Sequence, residues 1–219
     1  MDNQSPIIPA QLQEYVLMGR EKRWASMIKK LSPSETYILF KRDIVNREEI
    51  VKAAESWIGN RWETMDVLIL AGLDKEDTWE IERLFEKIVD EKTKRLAENK
   101  YQLALNAVKI MLEKIASSEI RPFEGAEVVV EQQHNVDYSK YENERAFRYF
   151  CAKKKYAGQE LGIQKIVGGY WELNDILDGS WKPENPYKDI GELQFAIKEE
   201  AEKLLTLIVK NKLHEPDPY

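Results

Sequence analysis

RWETMDVLILAGLDKEDTWEIERLFEKIVDEKTKRLAENKYQLALNAVKIMLEKIA, residues 61–116, is the stretch that decides the fold. Trp79, Ile81, Leu84, Phe85 and Ile88 recur along it, with Glu80, Glu82, Arg83, Glu86 and Lys87 between them. That alternation predicts an amphipathic helix with the five apolar residues inward. Asp77 stands just ahead, with Glu80 three residues on. This is the spacing of a capping box, in which a side-chain oxygen satisfies an orphan N–H of the first turn. Tyr101, Leu105, Val108, Leu112 and Ile115 form a second stripe, and Ala104 and Ala107 leave room for a neighbouring helix. Upstream, Met65, Leu68, Ile69 and Leu73 predict a buried helix that stops near Gly72. Nothing in these three helices asks for chemistry.

The same pattern extends towards the N-terminus. Ser32-Pro33-Ser34-Glu35 reads as an N-cap, a proline at the first helical position and a glutamate at the third. Asn46 with Glu49 repeats the arrangement ahead of Ile50, Val51, Ala54, Trp57 and Ile58, and Gly59-Asn60 ends that helix. Short polar joints make consecutive helices antiparallel neighbours. Further back, Leu12, Tyr15, Val16, Trp24, Met27, Ile28 and Leu31 keep helical spacing, and Pro6 and Pro9 mark an N-terminal arm.

Beyond Ala116 the pattern breaks. SSEIRPFEG, residues 117–125, reads as a loop and divides the chain into regions 1–120 and 121–219, which can equally form one domain. Within Ala126 to Gln133 three valines suit a strand, whereas Glu127 and Glu131 suit a helix. Helix is the reading adopted, because no partner strand is evident. Asn143 to Tyr156 reads as a helix with Phe147, Phe150 and Cys151 inward, and Gly191 to Leu213 as the last one. Between them lie Gly158, Gly162, Gly168, Gly169 and Gly179, which predict irregular loops over 158–187. The expected fold is therefore all-α, a multi-helix bundle with an irregular glycine- and aromatic-rich C-terminal part.

Composition narrows the function. A net charge of −6 over 219 residues argues against non-specific nucleic-acid binding, which needs cations to neutralise phosphates. One cysteine, Cys151, permits no intramolecular disulfide and no cysteine zinc site. No apolar run reaches the roughly 20 residues that span a bilayer. The N-terminus MDNQSPIIPAQLQ has neither a basic nor an apolar signal region, so a reducing, cytoplasmic location is expected.

Catalytic signatures are sparse. The histidines are His134 and His214, and neither a GxSxG nucleophile elbow nor a Walker loop is present. A Cys151–His134 pair is the one nucleophilic combination open, against the simpler role of Cys151 as a small buried apolar residue. Gly168-Gly169 leads into Tyr170-Trp171 rather than a phosphate-binding lysine. On a helix, Glu127, Glu131 and His134 would share a face, with Asp137 close by. The paired Glu-x-x-His of di-metal bundles has no second copy here. We therefore expect no metal and no cofactor. The strongest binding signal is aromatic: Tyr170, Trp171 and Trp181, interleaved with Asp175 and Asp178. Such residues suit a protein interface, and the carboxylates suit a basic partner. The competing reading is that these rings fill a second layer of the core.

Two runs carry a resemblance. EKRWASMIKKLSPSETYILFKRDIVNREEIVKAAESWI followed by LAGLDKEDTWEIERLFEKI is similar to all-helical bacterial proteins, some encoded beside polymorphic or contact-dependent toxins and taken to be immunity proteins. RPFEGAEVVVEQQ resembles a proline-bearing junction of the same group. The resemblance covers about half of the chain, carries over no functional residue and does not extend beyond Gly158. It implies a soluble bacterial protein that binds a partner tightly. The first functional expectation is thus a non-enzymatic helical binding protein, an immunity protein that occludes a basic toxin, with no nucleic-acid or membrane partner. The alternatives are a metal-assisted hydrolase and a structural subunit that dimerises through its helices.

Overall fold

The computed structural model of the protein describes residues 26–140, 162–177 and 190–210. The described residues form helices and no strands, as the sequence leads one to expect. In chain order the helices are α1 (Pro33–Phe40), α2 (Arg47–Trp57), α3 (Met65–Ala71), α4 (Thr78–Ile88), α5 (Glu91–Glu98), α6 (Lys100–Ala116), α7 (Pro122–Lys140), α8 (Gln164–Leu177) and α9 (Ile190–Lys210). No described helix is long and apolar enough to cross a membrane. The contacts divide the described residues into two units, one up to Ala107 and one from Val108 onward. The division falls within α6. Residues 1–25 and the Asn143–Tyr156 segment lie outside the described residues.

In the first unit, both capping boxes form. Glu35 N–H donates to Ser32 Oγ at 3.3 Å while Ser32 N–H donates to Glu35 Oε2 at 2.6 Å. Asn46 and Glu49 exchange the same pair of bonds at 3.0 and 2.7 Å. α1 packs on α2 and α5, α2 on α3 and α4, and α3 on α4. The fully buried Phe85 of α4 joins them: its ring meets Tyr37 edge-on at 5.7 Å, Phe40 at 6.1 Å and Trp57 in a stack at 6.1 Å. Trp57 is also fully buried, and its indole N–H donates to the Leu31 carbonyl at 2.8 Å. That bond removes the one polar cost of burying the indole.

Four expectations are corrected here. Trp79 is 72% exposed rather than inward. At 3.6 residues per turn it lies about 160° around the helix from Ile81, so it cannot share the face of Ile81, Leu84 and Phe85. Asp77 precedes α4 but makes no side-chain capping bond. On α3 the buried residues are Val67 and Leu70, whereas Met65, Leu68 and Ile69 are exposed. MDVLILA is apolar nearly all round, so two stripes fit its sequence and packing against α2 and α4 chooses one. Ile58 belongs to no helical face; it follows α2 with extended backbone and is exposed.

α5 carries no long apolar stripe in its sequence, because EKTKRLAE is short and mostly polar. Asp90 makes it. Its Oδ1 accepts from Thr93 N–H at 2.9 Å, and its Oδ2 accepts from the Thr93 hydroxyl at 2.8 Å and the Ser34 hydroxyl at 2.9 Å. The Thr93 N–H, then the Thr93 hydroxyl and then Ser34 hold its carboxyl down at about 2. A depressed carboxyl stabilises the fold fully above its unfolded value of 3.8 and loses that contribution as pH falls towards 2. Asp90→Ala should therefore lower stability by about 0.5–2 kcal/mol in neutral urea titrations. The gap to the parent should close between pH 4 and 2.

The second unit rests on close helix approach. α7, α8 and α9 pack on one another. The expected loop of 117–125 shortens to a turn, because Pro122 begins α7 at the position where a missing N–H costs nothing. Lys114, buried at the end of α6, closes that turn through Glu119 at 2.8 Å. Ala126 to Gln133 is helical within α7, with Ala126, Val128, Val129, Gln132 and Val136 buried. Gly125 lies in the same helix, where a Cβ would stand 2.5 Å from Cγ1 of Ile115.

The loop expected across Gly168-Gly169 is replaced by α8. Here the two glycines differ. A Cβ on Gly169 would stand 2.8 Å from Cγ1 of Ile197 on α9, whereas one on Gly168 meets nothing within 4 Å. Gly169 thus lets two backbones approach, and the helix tolerates its weak propensity for that contact. Gly158 and Gly179 lie outside the described residues. Gly168→Ala should stabilise by about 0.5–1 kcal/mol through helix propensity. Gly169→Ala should destabilise by about 1–3 kcal/mol through overpacking. Thermal melts of the two neighbouring variants should move in opposite directions.

Candidate functional site

α8 carries three of the five residues that the sequence singles out. Ile166, Gly169, Leu173 and Ile176 form its buried side, and Ile163 just ahead of it is buried too. Trp171 and Asp175, four residues apart, stand together on the outer side and are exposed, Trp171 by 56%. Gly168, three residues before Trp171, leaves an open notch beside it. Tyr170 lies between the two sides, half-buried. Its ring stacks on the buried Phe123 of α7, with centroids 5.1 Å apart and planes 11° from parallel. Trp171 meets Tyr170 edge-on at 5.5 Å and 77°. Tyr170 is therefore both core and support, and Trp171 is the ring offered to solvent. Asp178 and Trp181 lie outside the described residues.

The electrostatics are acidic. Glu172 is half-buried, and its Oε2 is enclosed with no hydrogen-bond partner among the described residues. Burial first, and then the neighbouring Asp175, push its carboxyl above the usual range. A carboxyl raised in the folded state binds its proton more tightly there than in the unfolded chain. Its charge therefore disfavours folding once pH rises above the unfolded value of 4.5. Glu172→Gln should raise the melting temperature at pH 7, and the advantage should vanish near pH 4. An unchanged melt at pH 7 would place the carboxylate in water.

The metal candidates belong to α7 rather than to α8. Glu127 and Glu131 lie on α7, and the side chains of His134 and Asp137 lie outside the described ones. Among the described residues no group of three His, Cys, Asp or Glu side chains is placed to hold an ion. Cys151 and His214 lie outside the described residues. In the first unit, a cleft of about 450 Å³ opens on Glu91, Lys92, Arg95, Leu96, Asn99 and Gln102. Its one carboxylate, Glu91, pairs with Lys94 at 2.7 Å, so the cleft brings together no acid–base pair of the kind catalysis uses.

The sequence reading missed an exposed apolar feature of the first unit. Met65 at 72%, Leu68 at 41% and Ile69 at 44% form the outer stripe of α3, and Trp79 stands exposed at the start of α4. The signal was available for Trp79 in its offset of two residues from Ile81, which is incompatible with a shared face. For α3 no such signal existed. Compared with known proteins, the chain matches no family model, no curated protein and no solved structure.

Proposed function

We propose that this chain is a non-enzymatic helical binding protein whose α8 surface, centred on Trp171, engages a basic protein partner. The observation that supports this reading is the exposed indole braced from behind. Tyr170 meets it edge-on and is itself stacked on buried Phe123, so the ring is held by its neighbours while one side stays open. A large, pre-positioned aromatic loses little entropy on binding, which is why such residues dominate interface energies. Asp175 beside it and Glu172 behind it give the surface an acidic character that favours encounter with a cationic partner.

The likeness of residues 21–58, 70–88 and 121–133 to all-helical bacterial proteins, some of them encoded beside toxins, supplies the specific form of the proposal. The chain would cover a basic toxin's active surface and act by occlusion, in the cytoplasm that its cysteine usage suggests. Binding alone suffices for this mechanism; no nucleophile, metal or cofactor is needed. The test is affinity capture from the native host, with the captured protein then titrated against purified variants. Trp171→Ala should weaken binding by about 2 kcal/mol or more while leaving the melting temperature within error. A variant that loses stability but keeps its affinity would make Trp171 a packing residue and overturn the assignment.

A further inference from the structure

The first unit exposes an apolar face that the Trp171 reading does not use. Only Val67 and Leu70 of α3 enter the core. Met65, Leu68 and Ile69, at positions i, i+3 and i+4, span an outer arc of about 100° and leave large side chains in water. Single exposed apolar residues are ordinary, but a contiguous set on one helix face marks an interaction surface. Trp79 stands exposed at the start of α4. Arg83 lies against it within the same helix: its guanidinium carbon lies 5.6 Å from the centre of the Trp79 ring, and its Nε donates to Glu80 at 2.8 Å. Glu80 favours the charged guanidinium, and α4 packs directly on α3.

Charge decides what covers this face. Between Ile58 and Arg83 seven carboxylates stand against three cations, Arg61, Lys75 and Arg83, for a net charge of −4. Glu63, Asp74, Glu76 and Asp77 among them are exposed, and Asp66 borders the apolar stripe. A second copy would bring one acidic rim against another, and an anionic membrane would be repelled in the same way. A partner with the opposite pattern meets no such obstacle. We propose that the outer face of α3 docks a basic amphipathic helix of another protein. That helix lays an apolar ridge along Met65, Leu68 and Ile69 and directs flanking lysines or arginines at the carboxylates. The stripe runs about 6 Å along a helix about 10 Å long, so it meets one to two turns of such a helix. This proposal stands on a different unit from the Trp171 surface and does not depend on it.

The probe is a fluorescein-labelled amphipathic peptide of leucine and lysine, about 14 residues long, so that it presents two heptads. It is compared with a scrambled peptide of the same composition and with a leucine–glutamate peptide of the same pattern. Fluorescence anisotropy should show binding of the amphipathic leucine–lysine peptide at least tenfold tighter than either control. The double variant Leu68→Ser, Ile69→Ser should weaken that binding at least tenfold. Both positions are exposed, so its melting curve should match the parent; Met65→Ser, at the most exposed position of α3, serves as a second variant. Equal binding of the scrambled peptide, or undiminished binding by both variants, would overturn the proposal. Light scattering that shows a dimer abolished by the double variant would overturn it too, by assigning the face to a second copy.

Discussion

Phe85 is the contact on which residues 26–107 depend. Its ring touches Tyr37 and Phe40 from α1 and Trp57 from α2, so one side chain of α4 holds three helices in register. Removing a fully buried ring of this size costs about 3–5 kcal/mol, transfer and cavity together. The ion pairs around it are weaker. Lys41 and Glu86 meet at 3.0 Å, but both side chains are more than a third exposed, and such pairs contribute about 0–1 kcal/mol. Arg47 and Glu82 tie α2 to α4 in an equally wet position. The aromatic cluster sets how these helices pack; the charges refine it. Tyr37 shows both at once, since its ring packs on Phe85 while its hydroxyl donates to Glu86.

The other unit is held differently. Among its described residues Phe123 and Tyr170 stack, and the helices approach closely where glycine leaves room. Gly169 lets α8 reach Ile197 of α9, and Gly125 lets α7 reach Ile115. Backbones that approach this closely gain dispersion contacts along their length and leave bulky residues to point outward. Trp171 is one result. With Gly169, Leu173 and Ile176 filling the inner side of α8, an indole two residues from Gly169 has nowhere inward to go. The exposure of Trp171 and the burial of Gly169 therefore have one cause, the phase of a single helix.

The two apolar surfaces share a logic although they lie on different units. Each sits on a helix that already satisfies the core with one face and carries a second face of large residues in water. Each lies among carboxylates. Met65, Leu68 and Ile69 keep company with Asp66, and Trp171 with Asp175. Acidic rims keep such surfaces from self-association, because like charges meet when two copies approach.

The sequence by itself determined that the chain is helical, and where most helices begin. Ser32 with Glu35 and Asn46 with Glu49 cap as their spacing requires, because a capping bond is local and needs only three residues of context. The valines of 126–133 resolve to helix, and the stripe from Leu105 to Ile115 is buried as its period demands. What the sequence did not determine is which face of an ambiguous helix turns inward. MDVLILA offers two apolar stripes, and Gly168-Gly169 offers a loop or a close contact; local pattern fits both in each case. Only packing against α2 and α4, and the Ile197 side chain beneath Gly169, removed the alternative. Periodicity is a property of one segment, whereas burial is a relation between segments, and so the exposed faces of α3 and α8 were decided by the tertiary structure alone.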